Sequence, residues 1–289
     1  MFYNQLKTAV LLGSLSGLLL LLGSLIGGQQ GILFAFILAL IMNAVSYFYS
    51  DKIVLRMYKA QPLDEDHYGY IYDMVSELAH RMKIPMPKLW LITTPMANAF
   101  ATGRNPQHAS VAVTTGILKL LNEKELRGVL AHELSHVKNR DILVTTIAAT
   151  LATAIGYVAH MAQYVSFAAQ NSRKENNSTG PITAFAIAIF MPLAAMLIQL
   201  ALSRSREYFA DETGALCCQD PLALASALEK LHNHISHANL DNSDVDKAST
   251  APLFIMHPFA GNRWTTLFAT HPPIDARIAR LRTIYQKMF

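Results

Sequence analysis

The sequence predicts a mainly α-helical membrane protein, with four transmembrane helices in two hairpins and an α+β cytoplasmic domain that contains a small sheet. Of its 289 residues, 52% are hydrophobic and 15% are charged, and the mean hydropathy is +0.25. This composition is too apolar for an ordinary soluble domain. Four apolar stretches also approach or exceed the roughly 20 residues that cross a bilayer. They lie at about 8–27, 31–49, 142–169 and 181–202.

The basic residues that flank these stretches predict their orientation. Eight of them fall on one side, namely Lys7, Lys52, Arg56, Lys59, Lys138, Arg140, Arg204 and Arg206. The opposite side carries only Arg173 and Lys174. Because positive charge marks the cytoplasmic side, both termini are predicted to be cytoplasmic. The chain then divides into a transmembrane hairpin (1–50), a cytoplasmic part with the sheet (51–141), a second hairpin (142–202) and a cytoplasmic helical part (203–289).

The spacing of apolar residues changes along the first polar region. Apolar residues at helical spacing, Ile71, Val75, Leu78 and Met82, predict a helix that follows Pro62. "KLWLITT" and "ASVAVTTG" are typical of short strands, and the "PMANAFATGRNPQH" between them is rich in turn residues. We expect a small sheet, with an exposed edge near "ANAFATG" or "ASVAVTTG" that could bind an extended peptide.

A further helix is predicted to begin at Asn122, with Glu125 at the capping-box position. It ends in "LAHELSHVKNRD", residues 130–141, where His132 and His136 are one helical turn apart on the same face. Both imidazoles can therefore bind one metal ion, at about 2.0–2.1 Å for zinc. Glu133 then lies beside the ion without binding it, which suits a glutamate that takes a proton from an activated water.

Zinc in a catalytic site requires a third protein ligand and an open position. The longer motif that supplies a third histidine is excluded, because Asn139 and Ile142 stand where its Gly and His would be. The ligand must come from downstream, where the chain returns from the membrane with "SRSREYFADETG". Glu207 is the predicted third ligand. Asp211, one turn later, is predicted to accept a hydrogen bond from the other ring nitrogen of a liganding histidine.

The stretches "HELSHVKNRD", "SRSREYFAD", "ATHPPIDARI" and "ANAFATG" resemble the HtpX-type zinc metalloproteases of bacterial inner membranes. This family is related to the CAAX prenyl proteases, and the resemblance covers essentially the whole chain. It implies a zincin-like catalytic domain with one Zn²⁺ held by His132, His136 and Glu207, and Glu133 as the catalytic base. It also implies an endopeptidase that acts at the cytoplasmic side on damaged or misfolded membrane proteins. A prenylated substrate is not expected, because the prenyl-protease branch has a longer chain with more spans.

His271, in "THPPI", has two interpretations. It could donate to the oxyanion of the tetrahedral intermediate, or it could belong to a rigid turn before an amphipathic helix that contains Ile274, Ile278 and Leu281. His257 competes for the oxyanion role.

Other classes of function are less compatible with the sequence. The basic residues are scattered, which argues against a nucleic-acid partner. The two cysteines, Cys217 and Cys218, are adjacent and form no disulfide framework. The four apolar stretches contain no Asp, Glu, Lys or Arg, which argues against a transporter. The alternative function is a non-catalytic zinc-bearing membrane scaffold, which would leave the position of Glu133 unexplained. The expected partners are polypeptide substrates and the lipid bilayer, and the sequence predicts no oligomeric state.

Overall fold

The computed structural model describes residues 2–147, 204–237 and 272–288, and it is mainly helical with one small sheet. The helices are α1 (Phe2–Met57), α2 (Glu65–Met82), α3 (Thr115–Leu120), α4 (Glu123–Lys138), α5 (Arg204–Cys218), α6 (Pro221–His237) and α7 (Ile274–Met288). The strands are β1 (Gln61–Pro62), β2 (Lys88–Ile92), β3 (Ala99–Gly103) and β4 (Ala109–Thr114). Residues 142–147 are also helical.

Helix α1 consists of two helical halves that meet at Gly28, whose φ of 54° is in the left-handed region that glycine tolerates. The Asn43 Nδ2 donates to Ser16 Oγ at 2.9 Å, so the two halves lie side by side. Among the described residues, Gly28–Met57 is the stretch that is long and apolar enough to cross a membrane. Beyond residue 147, the predicted spans 142–169 and 181–202 lie outside the described residues.

The small sheet has the strand order β1-β2-β4-β3, which confirms the predicted sheet. Strand β2 pairs in parallel with β4, and β3 pairs with β4 in antiparallel orientation. Between β2 and β4, where the sequence indicates turns, Ala99–Gly103 forms β3. Its sequence "AFATG" lacks the run of β-branched residues that signals a strand. Pairing with β4 and burial of all five residues stabilise it instead.

The two faces of the sheet pack against different helices. Leu89, Val111 and Val113 belong to the main core with α2 and α4. On the opposite face, Ile92, Phe100 and Ala112 pack against the last turns of α1, because successive side chains of a strand point to opposite faces. The apolar helix therefore ends directly on the sheet, on the side away from α4.

Helices α2 and α4 form where the sequence predicts them. The four apolar residues of the predicted α2 pattern, Ile71, Val75, Leu78 and Met82, are all buried.

The capping box at the start of α4 is confirmed. Asn122 Oδ1 accepts from the Glu125 backbone N–H, and Glu125 Oε2 accepts from the Asn122 backbone N–H, both at 3.0 Å. Glu125 also accepts from Ser226 at 2.7 Å and from Lys230 at 2.8 Å. The same carboxylate thus caps α4 and fastens it to α6.

Candidate metal centre

Two helices bring three metal-ligating side chains together. His132 and His136 project from one face of α4, and Glu207 comes from the first turn of α5. The two His Nε2 atoms are 3.2 Å apart. Glu207 Oε2 is 3.6 Å from His132 Nε2, and Glu207 Oε1 is 3.7 Å from His136 Nε2. Within the described residues, these three form the group that could hold a metal ion.

The spacing of these donor atoms fits a zinc ion. Ligands about 2.0–2.1 Å from a tetrahedral ion are about 3.3–3.4 Å from each other, and the three observed separations of 3.2, 3.6 and 3.7 Å bracket that value. Two imidazoles and one carboxylate are also a donor set that catalytic zinc sites use, with a fourth position left for water. Glu207 and His132 are buried, so the site excludes most solvent.

In each histidine, the ring nitrogen that faces away from the other ligands, Nδ1, contacts a carboxylate. His132 Nδ1 is 2.9 Å from Asp211 Oδ1, and His136 Nδ1 is 3.1 Å from Asp141 Oδ2. These contacts orient the rings so that both Nε2 atoms face Glu207. The structure thus places Asp211 where the sequence analysis expects it, and it adds Asp141 as the corresponding partner of the second histidine.

The carboxylates set the charge of both histidines in the absence of metal. Burial lowers the pKa of His132, but hydrogen bonds with Asp211 and Glu207 outweigh it and raise the pKa overall. Burial likewise lowers the pKa of His136, and the negative charges of Asp141, Glu207 and Glu133 raise it to about 10. An ion must therefore displace protons from these nitrogens, and its affinity should fall as the pH falls.

Arg277 of α7 forms the back of the site. It is fully buried and donates two hydrogen bonds to Asp211, from Nε at 2.8 Å and from Nη2 at 2.6 Å. Its Nη1 also lies 3.8 Å from Glu207 Oε2. Burial raises the pKa of Asp211, but the charge and hydrogen bonds of Arg277 outweigh it and bring the pKa to about 2. Asp211 therefore stays ionised and can hold His132 in one orientation.

Glu133 projects from α4 towards the sheet. Its Oε2 accepts from the Ala101 backbone N–H of β3 at 3.0 Å, and the side chain is 6% exposed. Burial raises the pKa of Glu133. A buried carboxylate that is fixed beside a metal centre and has a raised pKa is well suited to proton transfer.

The glycine at position 214 lets α5 approach α4 closely enough to deliver Glu207. A Cβ atom at Gly214 would lie 2.9 Å from the His132 backbone nitrogen, closer than real Cβ atoms come to backbone. Glu207 and Gly214 are seven residues apart on the same helix, so a displacement at one moves the other.

We expect Gly214→Ala to lower zinc affinity by about 10-fold or more, because the added methyl group pushes α5 and its ligand away from the histidines. Gly69→Ala in α2 is the matched control, since nothing lies within 4 Å of a Cβ at that position. Titration of each purified variant with zinc against a competing chelator measures the affinity. Equal affinities for the two variants would contradict the close-packing explanation.

A family model described as peptidase family M48 matches residues 65–285, a range that contains all the site residues described above. The chain belongs to peptidase family M48. A protein named protease HtpX homolog from Paraburkholderia phytofirmans is 49% identical over 279 residues, which is 96% of each chain. A protein of the same name from Burkholderia thailandensis is 48% identical over the same length and the same shares.

The fold also resembles a solved structure. The crystal structure of S. mikatae Ste24p superposes with a TM-score of 0.50 and 16% sequence identity, covering 97% of this chain. This chain spans 65% of the Ste24p chain. The likeness shows a similar fold over most of this chain.

M48 peptidases are zinc-dependent, and the chain is therefore a metalloprotease. Its relatives make it an HtpX-like membrane protease. Its apolar helix packs against the sheet. Its membership in an enzyme family argues against the alternative of a non-catalytic zinc scaffold.

One predicted site residue lies outside the described part of the chain, and two site residues were not predicted from the sequence. His271 and its competitor His257 lie outside the described residues. The amphipathic helix after His271 is confirmed as α7, with Ile278 and Leu281 buried. The sequence analysis missed Asp141 and Arg277. A signal for Arg277 was present, because it shares the 3–4 spacing of the apolar residues of α7 and therefore lies on its buried face.

Proposed function

We propose that this M48 peptidase is a membrane-embedded endopeptidase that hydrolyses misfolded or damaged membrane proteins at the cytoplasmic face. The observation that carries the proposal is the convergence of His132, His136 and Glu207 beside Glu133, which itself contacts the sheet on which the apolar helix ends. The basic residues near the end of that helix and in the turn after it, Lys52, Arg56 and Lys59, support a cytoplasmic catalytic side.

The residues of the site suggest how the peptide bond is hydrolysed. When bound, zinc supplies a Lewis acid that polarises the scissile carbonyl and lowers the pKa of water towards about 7. Glu133 accepts the proton that this water loses, and it later gives the proton to the departing amine. The Ala101 N–H fixes one carboxylate oxygen of Glu133, so the other oxygen is available for both transfers.

Strand β3 offers a place for the substrate backbone. The Ala101 N–H donates to Glu133 and not to β4, so Ala101 directs its backbone groups to the outer edge. Alternate residues of an antiparallel strand share this direction, so Ala99 and Gly103 also face outwards. An extended peptide paired with this edge would pass Glu133 and be held by main-chain hydrogen bonds that are insensitive to its sequence.

Among the described residues, one of the two edges expected from the sequence is left unpaired, which favours it for this role. Strand β4, the "ASVAVTTG" run, pairs with β2 on one side and with β3 on the other. Its backbone groups are therefore used within the sheet. Strand β3, the "ANAFATG" run, lies at the end of the strand order and pairs with β4 within the described residues.

Vesicles test this proposal in one experiment. Inside-out vesicles that carry the protein should cleave added casein, and sealed right-side-out vesicles should not. In the inside-out vesicles, a destabilised membrane protein should disappear about 10-fold faster than its stable parent, because an unfolded segment reaches the extended conformation more often. Vesicles with Glu133→Gln give the background rate. Cleavage from the opposite side, or equal rates for the two membrane proteins, would refute the proposal.

A further inference from the structure

A second candidate binding site lies on the sheet face away from the metal centre. An open cavity of about 1130 Å³ is formed between the last turns of α1 and strands β2 and β4. Strand residues Lys88, Trp90 and Ser110 form its floor. Lys88 and Ser110 are paired in register across β2 and β4, so the floor is a continuous patch of the sheet. We call this space the basic cavity.

Positive charge dominates the basic cavity. Lys52, Arg56 and Lys59 come from α1 and the turn after it, and Lys88 comes from β2, against one acidic residue, Asp51. All four basic side chains are exposed. Within the described part of the chain, none of the four forms an ion pair, although Lys52 Nζ lies 5.2 Å above the Tyr49 ring. Such a group of unneutralised cations attracts an anion of corresponding charge.

The rest of the lining is apolar and aromatic. Met57, Leu55 and Ile53 line the cavity together with Tyr49 and Trp90. The indole N–H of Trp90 is buried and has no hydrogen-bond acceptor among the residues that the structure describes. Tyrosine and tryptophan beside cations, at the end of a long apolar helix, are typical of the level at which a membrane meets water. A ligand that combines an anionic group with hydrocarbon matches this lining better than a free anion does.

We propose that the basic cavity binds an anionic phospholipid, with the phosphate among Lys52, Arg56 and Lys88 and the start of the acyl chains against the apolar wall. The site rests on the proposed embedding of Gly28–Met57 in the bilayer, which brings the cavity to the level of lipid headgroups. The bound lipid would connect the bilayer to β2 and β4. Strand β4 in turn pairs with β3, whose Ala101 holds Glu133.

Tryptophan fluorescence gives a direct test, because the chain has two tryptophans and one of them lies in the cavity. The full-length Trp264→Phe protein in detergent retains Trp90 as its fluorophore. Brominated phosphatidylglycerol should quench Trp90 at a lower mole fraction than brominated phosphatidylcholine does. In the triple variant Lys52→Gln, Arg56→Gln, Lys88→Gln, the phosphatidylglycerol fraction for half-maximal quenching should rise by about 10-fold or more.

A matched variant distinguishes binding in the basic cavity from general attraction of anionic lipid to a positively charged protein. Lys119→Gln, Lys124→Gln, Lys287→Gln removes the same charge from exposed positions elsewhere and should keep the preference for phosphatidylglycerol. Inorganic phosphate at millimolar concentration should not displace the lipid. Quenching by neither lipid, equal quenching by both, displacement by inorganic phosphate or equal effects of the two triple variants would overturn the site.

Casein cleavage in lipid-free detergent tests the proposed function separately from the lipid site. The cavity residues do not contact the metal centre, so both triple variants should cleave casein at the rate of the parent protein. A parent protein that binds phosphatidylglycerol but does not cleave casein would contradict the proposed function and support the cavity. Normal casein cleavage by a parent protein that shows no preference for phosphatidylglycerol would support the proposed function and contradict the cavity.

Discussion

Glu133→Gln should lower peptide cleavage by about 10²–10⁴-fold while the protein keeps its zinc. The amide has the size of the carboxylate, and its oxygen can still accept from the Ala101 N–H. The three predicted ligands, His132, His136 and Glu207, are unchanged. An amide cannot take the proton that the attacking water must lose, so the effect falls on the rate of hydrolysis and not on the structure of the site.

The measurement combines casein cleavage in detergent with determination of zinc per chain on the same preparation. Glu123→Gln, an exposed change at the start of the same helix, should leave both values at the wild-type level. Loss of zinc together with activity in Glu133→Gln would show that Glu133 holds the site together. Normal cleavage by this variant would exclude Glu133 as the base.

Glu207→Ala should remove most of the bound zinc and, with it, the proteolytic activity. Without Glu207, the two histidines, one helical turn apart, leave the ion with too few protein ligands for a stable site. Glu207 is 4% exposed, and its carboxylate oxygens face both His Nε2 atoms at 3.6 and 3.7 Å.

Glu212→Ala is the matched control for this variant. Glu212 lies on the same helix, but its carboxylate is exposed and accepts from Arg280 Nη2 at 2.8 Å on the surface. We expect it to retain zinc and activity. Zinc content per chain, measured after gel filtration in detergent, decides the comparison. A Glu207→Ala protein with a full complement of zinc would mean that another residue is the third ligand.

The parts of the site that the sequence predicts are those that helical geometry determines locally. The four-residue step between His132 and His136 places both rings on one side of α4. The same step between Glu207 and Asp211 puts a ligand and an orienting carboxylate on α5. The capping box at Asn122 marks where α4 begins, because it depends on contacts between residues three apart.

The parts that the sequence analysis missed depend on local backbone turns and distant packing. Asp141 reaches His136 because α4 ends at Lys138 and Arg140 adopts a left-handed φ of 58°, which turns the chain back. Nothing in the sequence requires that conformation of an arginine. Arg277 is buried because Asp211, 66 residues earlier, neutralises it. Strand β3 likewise depends on pairing with β4, since its small residues carry little strand propensity of their own.

The central claim is that one zinc ion at His132, His136 and Glu207 is required for peptide hydrolysis. Its most direct test is a zinc titration of chelator-treated wild-type protein in detergent, with casein cleavage measured at each step. We predict that the metal-free protein is inactive, that activity rises in proportion to bound zinc, and that it reaches its maximum at about one ion per chain. Persistent cleavage by the fully metal-free protein would contradict the account.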